Sequence, residues 1–79
     1  MGYYRARRNR THYYGVVNGE LKAAIMAWCG KEGINRKYVD PLTRRASYDY
    51  DSGARFSAAS LPSAMKEYMA DIRSQEARQ

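Results

Sequence analysis

The chain has 79 residues, a net charge of +6 and a sequence pI near 9.7, with 44% hydrophobic and 28% charged residues. That length holds one core and therefore a single domain, 1–79, burying about 60–65% of its unfolded surface, and the composition excludes a disordered chain. One cysteine excludes an internal disulfide and a Cys-rich zinc site, and no window nears the roughly eighteen apolar residues of a membrane span.

The chain begins with four arginines, Arg5, Arg7, Arg8 and Arg10, set between the tyrosine pairs Tyr3–Tyr4 and Tyr13–Tyr14. No apolar stretch follows this basic start as a secretory leader requires, so a cytoplasmic location is expected. "THYYGVV" at 11–17 is rich in aromatic and β-branched residues and predicts a strand. Residues 3–8 either pair with it as a first hairpin or belong to a flexible arm over 1–10.

"NGELKAAIMAWCG" predicts a helix over about 19–30. Leu21, Ile25 and Trp28 recur at i, i+4 and i+7, Asn18 or Gly19 is placed to cap, Glu20 meets the positive first turn, and Gly30 offers a left-handed end. Beyond Asp40-Pro41, taken as a break, "RRASYDYDSGARFSAA" alternates Ala46, Tyr48 and Tyr50 against Ser47, Asp49 and Asp51. That period of two, the Ser52-Gly53 turn and "ARFSA" predict a hairpin over 45–58. "SLPSAMKEYMADIRSQEAR" predicts a second helix over about 61–77, with Leu61, Met65, Met69 and Ile72 on one stripe.

The expected fold is thus α+β: a small antiparallel sheet, built from an N-terminal strand or hairpin and the 45–58 hairpin, packed by two helices. Its expected core is Val17, Leu21, Ile25, Trp28, Phe56, Met65, Met69 and Ile72. A helix-turn-helix is excluded on this expectation, because about thirty residues with strand signals separate the two helices.

Chemistry-bearing groups are sparse. His12 is the only histidine and has no second ligand or nucleophile beside it in sequence. Cys29 follows Trp28 at a helix end and reads as a buried thiol. Asp49 and Asp51 would share one strand face, where they either pair for acid–base work or answer Arg44, Arg45 and Arg55. "RRAS" at 44–47 matches a basic-directed phosphorylation pattern, but a strand would hide Ser47. No glycine-rich phosphate loop is present. The expectation is a non-enzymatic protein with no catalytic residue, cofactor or metal.

Charge points to the partner. Residues 1–17 carry +4 and residues 31–45 carry +3, while 18–30 and 57–79 are neutral and 46–56 carry −1. Ten of the fourteen bases are arginine, whose planar fork suits phosphate, and eight tyrosines offer stacking surfaces. A nucleic acid or nucleoprotein contact is expected through Arg5, Arg7, Arg8, Arg10, Tyr13, Tyr14, Arg36, Lys37, Arg44 and Arg45. The alternative partner is an acidic protein surface read by the same Tyr and Arg side chains. Monomer and homodimer both fit. In size, charge and absence of enzyme motifs the chain resembles the accessory proteins of phages and mobile elements. That resemblance implies a regulator or inhibitor of a host complex, such as an anti-defence protein, and gives no residue a role.

Overall fold

The computed structural model describes residues 11–78, and these form a helical domain. Helix α1 spans Glu20–Glu32, a 3-10 turn spans Arg36–Tyr38, α2 spans Val39–Asp51 and α3 spans Leu61–Ala77. The described residues contain no sheet. The extended segments around Tyr13 and Ser57 meet in one isolated antiparallel bridge, beside a Tyr14 N–H to Phe56 C=O bond of 2.8 Å. The expected α+β architecture is therefore replaced by three helices, and the question of an arm over 1–10 lies outside the described residues.

The replacement turns on α2. Its apolar positions Val39, Leu42 and Ala46 follow i, i+3 and i+7 and are all buried, so helical burial outweighs the local alternation that suggested a strand. Pro41 lies in the first turn, where its missing N–H breaks no helical bond, and Asp40 faces the positive end of the helix. What read as a break is a start. With α2 in place, only residues 33–38 join it to α1, so the ground for excluding a helix-turn-helix also falls.

Helix α1 forms as expected but runs two residues further, to Glu32. Gly30 is an interior position, and Gly33 closes the helix at φ 71°. The Ile34 N–H bonds the Cys29 C=O at 2.8 Å, so Ile34 folds back against the core. At the other end Glu20 ties down the chain entering the helix. Its carboxylate accepts the Gly15 N–H at 3.1 Å and lies 3.1 Å from His12 Nε2. Asn18 makes no cap, and the N-cap residue is Gly19.

Helix α3 is announced by Ser57 and Ser60, which exchange bonds reciprocally. The Ser57 N–H donates to Ser60 Oγ at 2.9 Å and the Ser60 N–H to Ser57 Oγ at 3.2 Å. This satisfies donors that the entry to a helix would otherwise orphan, in the manner of a capping box.

The core gathers Leu21, Ile25, Trp28 and Cys29 from α1, Val39, Leu42 and Ala46 from α2, Leu61, Met65, Tyr68 and Met69 from α3, and Phe56 from the linking segment. Leu21, Ile25, Leu42 and Met65 are fully buried, each contributing about 1.5–3 kcal/mol by leaving water. Val17, expected inside, is 96% exposed, because the turn before α1 points it outward.

Candidate nucleic-acid interface

The position of each expected contact residue follows from the helical frame of 39–51. Asp40, Thr43, Arg44 and Ser47, spaced i, i+3, i+4 and i+7, form one solvent-facing stripe on α2 and line a shallow surface hollow. Asp40 also lines a second hollow with Lys22 and Met26 of α1 and Arg36 of the 3-10 turn. The shared wall makes one continuous face from α1 across to α2. It carries Lys22, Arg36 and Arg44 as cations and Asp40 as its acid, with the Lys22 ammonium 3.5 Å from Asp40 across an exposed gap. An exposed pair of this kind contributes little to stability and leaves both partners accessible. Thr43 adds a hydroxyl that donates to the Val39 C=O at 2.7 Å and keeps its lone pairs for a further donor.

Two of the expected contacts are committed elsewhere. Arg45 bonds Asp71 of α3 at 2.8 Å and stands 5.1 Å from the Tyr68 ring centre, so it braces α2 against α3. Lys37 lies 5.2 Å over the ring of Tyr38, whose hydroxyl donates to Glu76 at 2.8 Å and fastens the 3-10 turn to the far end of α3. Tyr13 is half exposed beside the bridge to Ser57. Tyr14 is half-buried against the core, edge-on to the His12 ring at 5.8 Å, and so is poorly placed to stack on a base. Arg5, Arg7, Arg8 and Arg10 lie outside the described residues.

Lys22 belongs to this face and was missed in the sequence. Its signal is present, since Lys22 and Met26 form an i, i+4 row flanking the buried stripe of α1, but it becomes useful only once Arg36 is known to line the same hollow. Arg44 and Arg45 are neighbours in sequence and diverge in role, because adjacent helical residues point about 100° apart.

The Asp49–Asp51 pair does not exist as a site. On a helix these residues diverge: Asp49 accepts a bond from the Tyr68 hydroxyl, whereas Asp51 is exposed at the end of α2. Burial first, and then the Asp49 bond and its charge, push the Tyr68 phenol above its ordinary pKa. Arg55, expected opposite these acids, instead lies 4.1 Å over the Tyr50 ring and donates to the Tyr50 C=O at 3.1 Å. Ser47 is a half-buried helical residue, not a strand residue. Cys29 is buried, and burial pushes its thiol up, away from the reactive thiolate. His12 has Glu20 as its side-chain partner, and among the described residues no three His, Cys, Asp or Glu side chains gather as a metal site. Among them, too, no helix is long and apolar enough to cross a membrane.

A separate hollow of about 290 Å³ lies between α1 and α3. Trp28, Ile34 and Met69 form its floor, and Glu32, Lys66 and Arg73 stand in its walls.

No known protein family, curated protein or solved structure matches the chain.

Proposed function

We propose that the domain is a non-enzymatic binding protein that holds the phosphate backbone of a nucleic acid, free or within a nucleoprotein, on the α1–α2 face. The observation that carries this reading is the convergence of Lys22, Arg36 and Arg44, from three elements, around two hollows that share Asp40. Guanidinium forks at two of the three positions suit phosphate oxygens, and the Thr43 and Ser47 hydroxyls supply shorter contacts between them. The net charge of +6 adds long-range attraction for a polyanion. Tyr13, half exposed, offers a ring for stacking, and the four N-terminal arginines add charge for the same polyanion.

Salt dependence tests this directly. Three phosphates neutralised by Lys22, Arg36 and Arg44 give a slope of log affinity against log salt of about −2.7 on duplex and about −2 on single strands. Engagement of the four N-terminal arginines as well steepens the duplex slope to about −6. Fluorescence anisotropy with labelled single and double strands reads these slopes. An Arg36→Glu, Arg44→Glu double variant is expected to lose affinity and about two units of slope, whereas Arg45→Ala costs stability and leaves binding in place. Affinity that ignores salt, or that survives the double reversal, overturns the reading.

A further inference from the structure

We propose that the hollow between α1 and α3 is a docking site for an acidic peptide segment of a partner protein, which seats one apolar side chain there. At about 290 Å³ the hollow has room for a single aromatic or aliphatic side chain. Its floor is apolar, with Trp28 at 7% and Met69 at 3% exposure and Ile34 packed against the same core.

The walls decide the charge of what enters. Lys66 and Arg73 are seven residues apart on one face of α3, about 10.5 Å along its axis, and neither forms an ion pair among the described residues. Two carboxylates four residues apart on an extended peptide lie on one face about 13 Å apart, a span that the long Lys66 and Arg73 side chains can meet, and the residue midway shares that face. Between them an apolar side chain reaches the floor. Glu32, the one acid in the lining, accepts a hydrogen bond from a peptide N–H, a donor that a phosphodiester lacks. The indole N–H of Trp28 bonds no acceptor among the described residues, and no buried side-chain nitrogen or oxygen lacks a partner. That N–H therefore remains open to solvent and offers a donor to a peptide carbonyl. The site stands about 120° around α1 from the Lys22–Met26 side, so it is independent of the phosphate-binding face.

Trp28 is the only tryptophan, so its fluorescence reports occupancy without a label. The probe is the peptide acetyl-Glu-Gly-Phe-Gly-Glu-amide, titrated into the full chain. Saturable change with a Kd no weaker than about 1 mM is expected, weakened at least about tenfold in the Lys66→Glu, Arg73→Glu variant and unchanged in Arg44→Glu. The lysine counterpart, acetyl-Lys-Gly-Phe-Gly-Lys-amide, and the alanine version lacking the phenyl ring are expected not to bind. Equal binding of the lysine peptide, no saturable change with the acidic one, or full binding in the reversed variant overturns the proposal. So does displacement of the peptide by a short oligonucleotide, which would join the hollow to the nucleic-acid face. A Trp28 change that follows protein concentration without peptide would assign the hollow to a second copy and overturn it equally.

Discussion

Gly30 and Gly33 are three residues apart, and alanine at these two positions is expected to move stability in opposite directions. Gly30 lies inside α1, where an added Cβ meets nothing within 4 Å. Alanine there recovers the helix propensity that glycine forfeits, about 0.8–1 kcal/mol, for a rise in Tm of roughly 4–8 °C in a domain of this size. Gly33 also has open space around it, but its φ of 71° is left-handed. That backbone costs an L-residue about 1–2 kcal/mol, and the stiffer unfolded chain offsets about 0.4–1 of it, leaving a loss of about 1 kcal/mol. Urea unfolding followed by far-UV circular dichroism, with Trp28 fluorescence as second probe, measures both variants. An unchanged m-value is expected, since neither variant alters the surface exposed on unfolding. If Gly30→Ala destabilises, α1 ends at Gly30, as the sequence spacing suggests, and the register of its last turn is refuted.

Tyr68→Phe removes the bond to Asp49 and is expected to cost about 1–2 kcal/mol, below a fully buried charged bond because Asp49 is only half-buried. A double-mutant cycle with Asp49→Ala is expected to show coupling, and additive losses would mean the pair is solvent-separated. The pH dependence carries a sign: the folded state raises the Tyr68 pKa, so its contribution is complete below about pH 10 and is lost as pH rises beyond that. Alkaline melts of the native chain should therefore fall more steeply than those of Tyr68→Phe, and parallel curves would contradict the assignment. Leu42→Ala is expected to cost about 2–5 kcal/mol, since Leu42 is fully buried in the first turn of α2. A surface-like loss below about 0.5 kcal/mol in the same urea assay would contradict the packing of this turn against the core. Cys29 is expected to resist thiol reagents until the chain unfolds, because burial keeps it protonated and enclosed. Labelling at the rate of a free thiol in native buffer would place it at the surface.

The two helices with long apolar stripes were legible. Leu21, Ile25 and Trp28, and Leu61, Met65 and Met69, each repeat over two or more turns, and no strand of ordinary length competes for them. Helix α2 was not, for two physical reasons. Its core stripe is short, and one member is Ala46, whose small side chain adds little to a periodicity count. Its remaining residues alternate Tyr48 and Tyr50 with Ser47, Asp49 and Asp51, yet on the helix this alternation does not sort inside from outside: Tyr48 is exposed, whereas Tyr50 packs against the core and Asp49 accepts a bond from Tyr68. The strand signals at 11–17 and 54–58 were overturned: neither segment forms a strand, and they meet in a single isolated bridge, Tyr13 to Ser57. Of the contact residues proposed from sequence, Arg36 and Arg44 share a face, while Arg45 and Lys37 brace the fold.

That division has a consequence for how charge in this chain is interpreted. The +3 segment over 31–45 falls on the end of α1, the 3-10 turn and the first half of α2, and the helical geometry sorts it. Arg45 is held by Asp71 and Tyr68, so it stabilises the α2–α3 contact, whereas Arg44 has no ion pair among the described residues and faces solvent. Phosphate binding needs cations whose charge is not already neutralised, because affinity comes from the counterions they displace. The number that predicts salt dependence is therefore the unpaired cations on one face, not the formal charge of the segment. On that count the α1–α2 face offers Arg36 and Arg44 outright and Lys22 through a weak, exposed pair with Asp40 that a phosphate can displace. A module with so few unpaired cations on its ordered face binds a polyanion modestly by itself, and its affinity then depends on whether the N-terminal arginines join the contact or a second surface, such as the Trp28 hollow, engages the same assembly.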